Sequence, residues 1–181
     1  MNRVLCIGGL LLSGLVGACA APPDESAEVD WVVLPDSFGP VPLGVPVEQA
    51  TRALGDAPQV GFTAAETCTM VRAGSMPAGS SLMVLRDTAG ALIRVDRVDI
   101  DSAGTLTREG AGVGDSESRI DSLYGTRVQV QPHKYTPEGH YLIVPSERDS
   151  AFRIVFETDG QHVTRFRAGR RPAVDFVERC G

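Results

Sequence analysis

The side chains able to do chemistry in this chain of 181 residues are few: four cysteines and three histidines stand out. A cysteine thiolate can attack a substrate, ligate a metal or pair in a disulfide. Cys68 and Cys180 have neither a second cysteine nor a histidine at ligand spacing, which argues against a zinc site. His133, His140 and His162 lie outside any recognisable catalytic signature. His133 and His140 flank a turn containing Pro137 and Gly139, so they could approach one another, but no helical His-x-x-x-His pair accompanies them. Serines are plentiful without a Gly-x-Ser-x-Gly elbow to activate one. Gly110-x-Gly112-x-Gly114 lacks the glycine spacing and the lysine of phosphate-binding loops and reads as an irregular turn. The expectation is a chain with no catalytic residue, no metal and no cofactor.

The N-terminus gives two of the cysteines other roles. Arg3 precedes an apolar run, Val4 to Val16, followed by small residues, the pattern of a secretory signal peptide. Val16-Gly17-Ala18-Cys19 resembles the bacterial lipobox, in which the cysteine after the cut receives a diacylglyceryl group. An ordinary cut after Ala18 or Ala20, with Cys19 incidental, is the alternative. Cys6 leaves with the leader and Cys19 is assigned to lipid attachment. The remaining pair, Cys68 and Cys180, meets an oxidising compartment, so a disulfide is expected, with free buried thiols as the alternative. Closing so long a loop stabilises a fold by about 4 kcal/mol in the chain-entropy picture.

Composition narrows the partners. Lys and Arg total 17 against 23 Asp and Glu, and only Arg3 is lost with the leader. An acidic chain is a poor partner for nucleic acid, whose phosphates favour basic surfaces. After the leader no segment holds the ~18 consecutive apolar residues of a transmembrane helix. The membrane contact expected is therefore the lipid on Cys19.

Positioning elements are legible as a repeat. Residues 44–55 read GVPVEQATRALG and residues 114–125 read GDSESRIDSLYG, glycine-bounded stretches offset by 70. Asp87-Thr88-Ala89-Gly90 answers Glu157-Thr158-Asp159-Gly160 at the same offset. Pro46 suits a first helical turn, Val47, Ala50 and Leu54 share a face, and Gly55 stops the helix. Asp115 or Ser116 caps the second helix, whose buried face is Ile120, Leu123 and Tyr124. Strands are expected at 67–72, 81–86 and 92–100, then at 127–131, 140–144, 152–157 and 162–167. Pro172 precedes Ala173, Phe176, Val177 and Cys180, which would share one face of a short helix, with a disordered tail as the alternative that Cys180 argues against. The fold class is α+β: two tandem units, each a short helix packed on an antiparallel meander of about four strands. The expected organisation is a signal peptide at 1–18, a tether at 19–36, a first unit at 37–105 and a second at 106–181. Trp31-Val32-Val33-Leu34 reads as an added edge strand or a plug on the body.

Leu43-Gly44, Glu48 to Gly55, Val113-Gly114 and Ile120 to Gly125 carry a resemblance. Over about residues 38–179 the chain resembles the tandem β-lactamase-inhibitor proteins, whose single units resemble the SmpA/OmlA outer-membrane lipoproteins. The resemblance implies a bacterial envelope protein acting by binding. The cysteines depart from it: the inhibitors close a disulfide inside each unit, whereas Cys68 and Cys180 fall in different units. No inhibitor contact residue carries over.

Two segments are candidates for recognition. His133, Tyr135, His140 and Tyr141 cluster in a hairpin tip, where aromatic and imidazole groups offer contact area at low entropic cost. Covering the sheet is their alternative role. Arg165, Arg167, Arg170 and Arg171 form the basic cluster, with Arg165 and Arg167 on one strand face able to meet anionic headgroups or an acidic partner. A solvated face that protects a sheet edge is the alternative. The function expected is a non-catalytic envelope lipoprotein, a protein-interaction or scaffolding module on the periplasmic side of the membrane. Ala20 lacks the aspartate that resembles an inner-membrane retention signal, which favours the periplasmic face of the outer membrane if the organism has two membranes. The alternatives are an inhibitor of an extracytoplasmic hydrolase, and a small-ligand or lipid-headgroup binder.

Overall fold

Apolar residues on both sides of a strand need cover on both sides, and the longer strands of this chain have that composition. In Ser80–Arg86 the consecutive Leu82, Met83 and Val84 are all fully buried. The structure, a computed structural model, describes residues 29–64 and 67–180. Cys19, the leader and the start of the expected tether lie outside the described residues.

Three two-residue strands open the fold: β1 (Val33–Leu34), β2 (Ser37–Phe38) and β3 (Val41–Pro42) form a small antiparallel sheet. Then come β4 (Val45–Pro46), α1 (Val47–Leu54), β5 (Gln59–Ala64), β6 (Cys68–Arg72), β7 (Ser80–Arg86) and β8 (Leu92–Ile100). A connecting segment leads to α2 (Glu117–Tyr124) and a 3-10 turn at Gly125–Arg127. The chain continues through β9 (Gln129–Pro132), β10 (His140–Pro145), β11 (Phe152–Thr158) and β12 (Val163–Arg170), and a 3-10 turn at Ala173–Asp175. The large sheet runs β5-β6-β7-β8-β12-β11-β10-β9, antiparallel throughout, with β4 pairing on β8 outside that order. The two meanders meet where β8 pairs β12, Ile100 opposite Phe166 and Asp99 opposite Arg167.

Both helices stop at glycines in left-handed backbone, Gly55 at φ 66° and Gly125 at φ 56°, conformations that a side chain disfavours. Ser116 caps α2, its hydroxyl accepting the Arg119 N–H at 3.2 Å. One sheet face packs against the helices and the small sheet: Leu82, Val98, Ile154, Phe156 and Phe166 join Leu54, Ile120 and Tyr124 in one core. Val33 belongs to this core and donates its N–H to the Leu106 carbonyl at 2.9 Å, while Trp31 packs on Phe38. The folded body thus takes in residues 31–36 of the expected tether.

Alternation along the strands sends Met70, Met83, Tyr141, Ile143 and Val155 to the opposite face. A C-terminal strap, residues 171–180, covers that face through Ala173, Val174 and Cys180. Cys180 closes a disulfide with Cys68 across 112 residues, as expected for this pair. The strap is not the amphipathic helix expected from its sequence. Arg97 takes the carbonyls of Ala173 and Phe176 and Arg167 takes that of Val174, so beyond one 3-10 turn, in which the Ala173 oxygen also accepts the Phe176 N–H, these oxygens serve the sheet and no helix continues. Phe176, expected on the buried face, is exposed.

Replacing Cys68 and Cys180 together by serine is expected to lower unfolding stability by about 2–5 kcal/mol, measured by urea titration. The secondary structure should be retained by circular dichroism. A loss below about 1 kcal/mol would show that noncovalent contacts alone dock the strap.

Candidate functional site

Under the strap the sheet carries charge where its neighbours are apolar. Arg97 and Asp99 are two apart on β8 and so share a face, with Glu157 on β11 and Arg165 and Arg167 on β12. Arg97, Asp99, Glu157 and Arg167 are each at most 4% exposed. Unpaired, such buried charges would be prohibitive. Here each is answered. Arg97 Nε donates to Asp99 Oδ2 at 2.8 Å and its Nη2 to Oδ1 at 2.5 Å, a two-pronged fork. The remaining Nη1 donates to the carbonyls of Ala173 at 3.1 Å and Phe176 at 2.6 Å. Arg167 pairs through Nη1 with Glu157 Oε1, and its Nε donates to the Val174 carbonyl at 2.7 Å. The second Glu157 oxygen accepts from Arg165 Nε at 2.7 Å. Burial and the nearby charge of Arg97 pull the Arg167 guanidinium below its ordinary value, and Glu157 and Asp99 oppose them.

Gly169, opposite Arg97 in the ladder, is required by this packing. At its φ of +153° a Cβ would run into the Asp96 carbonyl oxygen and the Arg97 Cα.

The hairpin between β9 and β10 joins the network. His133 is nearly buried, its ring stacked on Tyr141 with centroids 4.6 Å apart. Its Nδ1 accepts the N–H groups of Tyr135 at 3.1 Å and Thr136 at 3.0 Å. In the neutral ring the proton therefore sits on Nε2, 3.5 Å from Glu157 Oε2. His140 turns elsewhere, its Nδ1 lying 2.8 Å from Glu117 Oε1 on α2. The two histidines do not converge on a shared site. Tyr141 lies inside the packing with Arg167 above its ring, whereas Tyr135 is 59% exposed. Tyr135 and Lys134 both bond the Glu178 carboxylate of the strap and hold it below the usual carboxylate range.

The four candidate cationic residues divide. Arg165 and Arg167 share a strand face as expected, but both are engaged by Glu157, and Arg167 lies under the strap instead of on a solvated surface. Arg170 lies against Gly44 at the end of β12, and Arg171 pairs with Asp175 at 2.8 Å. Sequence reading passes over Arg97, Asp99 and Glu157. The signal is present in β8, LIRVDRVDI, where Arg97 and Asp99 set opposite charges two apart on one face of a strand that also carries Arg94 and Asp96. Among the described residues no group of three or more His, Cys, Asp or Glu is placed to hold a metal ion.

Chemically the network is closed, each buried ion meeting an opposite charge or a carbonyl. It positions a segment. What it leaves outward is the rim of Tyr135, Lys134, Glu178 and the 43% exposed Phe176.

Arg167→Ala leaves Glu157 Oε1 and the Val174 carbonyl without their donor, Arg165 still pairing the carboxylate, and is expected to cost about 3 kcal/mol in chemical denaturation. Lys134→Ala, at an exposed pair, should leave the denaturation midpoint unchanged. Equal small effects would remove Arg167 as a determinant of the strapped face. Compared with family models, curated proteins and solved structures, the chain finds no match.

Proposed function

We propose that this chain is an exported, lipid-anchored module of the bacterial cell envelope that works by binding and not by catalysis. Cys19 would carry the lipid and hold the folded body at the periplasmic side of the outer membrane. The Cys68–Cys180 disulfide carries the reading. A disulfide that ties a chain terminus across 112 residues belongs to an oxidising, extracytoplasmic setting.

The body is proposed as two joined units. Supporting this, each helix precedes four sequential strands, and the helices at 47–54 and 117–124 share one length and an offset of 70. The same order supports a second reading, inhibition of an extracytoplasmic hydrolase, which the resemblance to tandem inhibitor proteins implies. In either reading the contact surface proposed is the rim of Tyr135 and Phe176, flanked by Lys134 and Glu178. Exposed aromatics bordered by an ion pair have the composition of an interface anchor.

Cys19→Ala in the full-length chain is expected to move the protein from the membrane pellet to the soluble fraction, or to block its processing; unchanged fractionation would end the anchor reading. A photo-crosslinking amino acid at position 135 is expected to capture a discrete envelope protein in intact cells. The same probe at exposed Ile93 should capture none. Identical adducts from both positions would dismiss the rim as the contact surface.

A further inference from the structure

A cavity of about 260 Å³ lies between the strap and the β9–β12 half of the sheet. Its lining brings together Arg153 of β11, Arg167 of β12, Arg171 of the strap, Tyr141, Gln131 and Asp175. Three guanidinium groups thus face one carboxylate in a chain whose overall charge is −6. Glu157 already answers Arg167. Asp175 is shared, its Oδ1 3.2 Å from Arg153 Nη1 and its Oδ2 2.8 Å from Arg171 Nε.

Arg153 Nε has no such answer. It is buried and has no hydrogen-bond partner, alone in this among the described residues. A buried donor without an acceptor carries a desolvation cost, which an anion in the cavity returns once the Arg153 side chain shifts to present that N–H, since the atom has almost no exposed surface now. Asp175 shows what the site accepts: a carboxylate held between two guanidinium groups, the planar arrangement that suits oxyanions. Arg171 is half exposed and would meet an arriving anion by exchanging Asp175 for it. The volume falls below the ~300–1,000 Å³ usual for drug-sized ligands, so a phosphate, a small carboxylate or a headgroup fits and a whole lipid does not.

We propose that this cavity is a binding site for a small anion presenting a carboxylate or phosphate group, with Arg153 and Arg171 as its anchors and Tyr141 as its aromatic wall. It is independent of the rim contact proposed above, because Tyr135 does not line it.

The test uses the disulfide-bonded Cys19→Ala chain, which has no lipid to drive flotation on its own. Inorganic phosphate and benzoate are titrated by calorimetry and thermal shift at constant ionic strength against chloride. At least one is expected to bind saturably and raise Tm, and Arg153→Gln and Arg171→Gln to weaken it tenfold or more. Tyr135→Ala should leave that binding unchanged. Because Arg171 is exposed, its variant keeps the test available if Arg153→Gln fails to fold. Flotation with phosphatidylglycerol vesicles, competed by phosphate, assigns the source: competed flotation marks a lipid headgroup, and phosphate or benzoate binding without flotation marks a soluble anion. Phosphate and benzoate no better than chloride, or Arg171→Gln binding as wild type, would overturn the site.

Discussion

Two guanidinium groups buried side by side set the terms for half of this molecule. Arg97 and Arg167 lie on β8 and β12, the strands at which the two meanders join. Neither charge can be left without a counterion in so dry a place. Asp99 stands two residues from Arg97 and directly opposite Arg167 in the ladder, so the β8–β12 register places the charges in alternation. Slipping that register by one residue would send the slipped strand's charges into the apolar core on the other face and part them from their partners. The guanidinium N–H groups left over then need oxygens, and the strap supplies them from its own main chain. Joint, strap and disulfide thus answer one electrostatic requirement.

The opposite face works by different physics. Phe156 packs between Tyr124 and Phe166, with ring centroids 5.7 and 5.4 Å away. Tyr124 brings a polar tip into this core, and its hydroxyl donates to Thr107 at 2.7 Å, tying α2 to the segment that leads into it. Burial pushes that phenol well above its ordinary value, so it stays a neutral donor. Apolar area here supplies bulk stability. The strapped face contributes less area and more direction.

That division explains what the sequence discloses. Glycine-bounded helices at 47–54 and 117–124 can be read because their signals are local: a face of apolar side chains, a capping serine, a glycine past the end. The longer strands can be read from alternation, and the pairing of Cys68 with Cys180 from elimination among four cysteines. The strapped face cannot be read this way. Arg165 and Arg167 alternate with apolar residues as any solvated strand face does. What buries Arg167 is a segment whose own period, Ala173, Phe176, Val177 and Cys180, points to a helix instead. The strap is equally opaque from its side, since Ala173 to Cys180 fits a helical face until the arginines claim its carbonyls. His133 and Tyr141 belong to the same failure: read as a surface cluster, they close against Glu157 and Arg167.

An apolar strap on an apolar face would bury comparable surface without the desolvation cost of four ions, and such replacements are often neutral or stabilising. The ionic design must therefore act on position. Apolar contact is non-directional, and a greasy strap could slide by a residue at little cost. A guanidinium group is a rigid fork, and here two of them clamp three named carbonyls, those of residues 173, 174 and 176. Fixing those oxygens fixes the path of the next four residues. Arg179 extends the clamp, pairing with Asp99 at 3.4 Å and also with Asp101. The chain then arrives with Cys180 Cα 5.5 Å from that of Cys68, within the narrow separation a disulfide requires. The charges aim the cysteine, and the covalent bond retains a register that the charges have already selected.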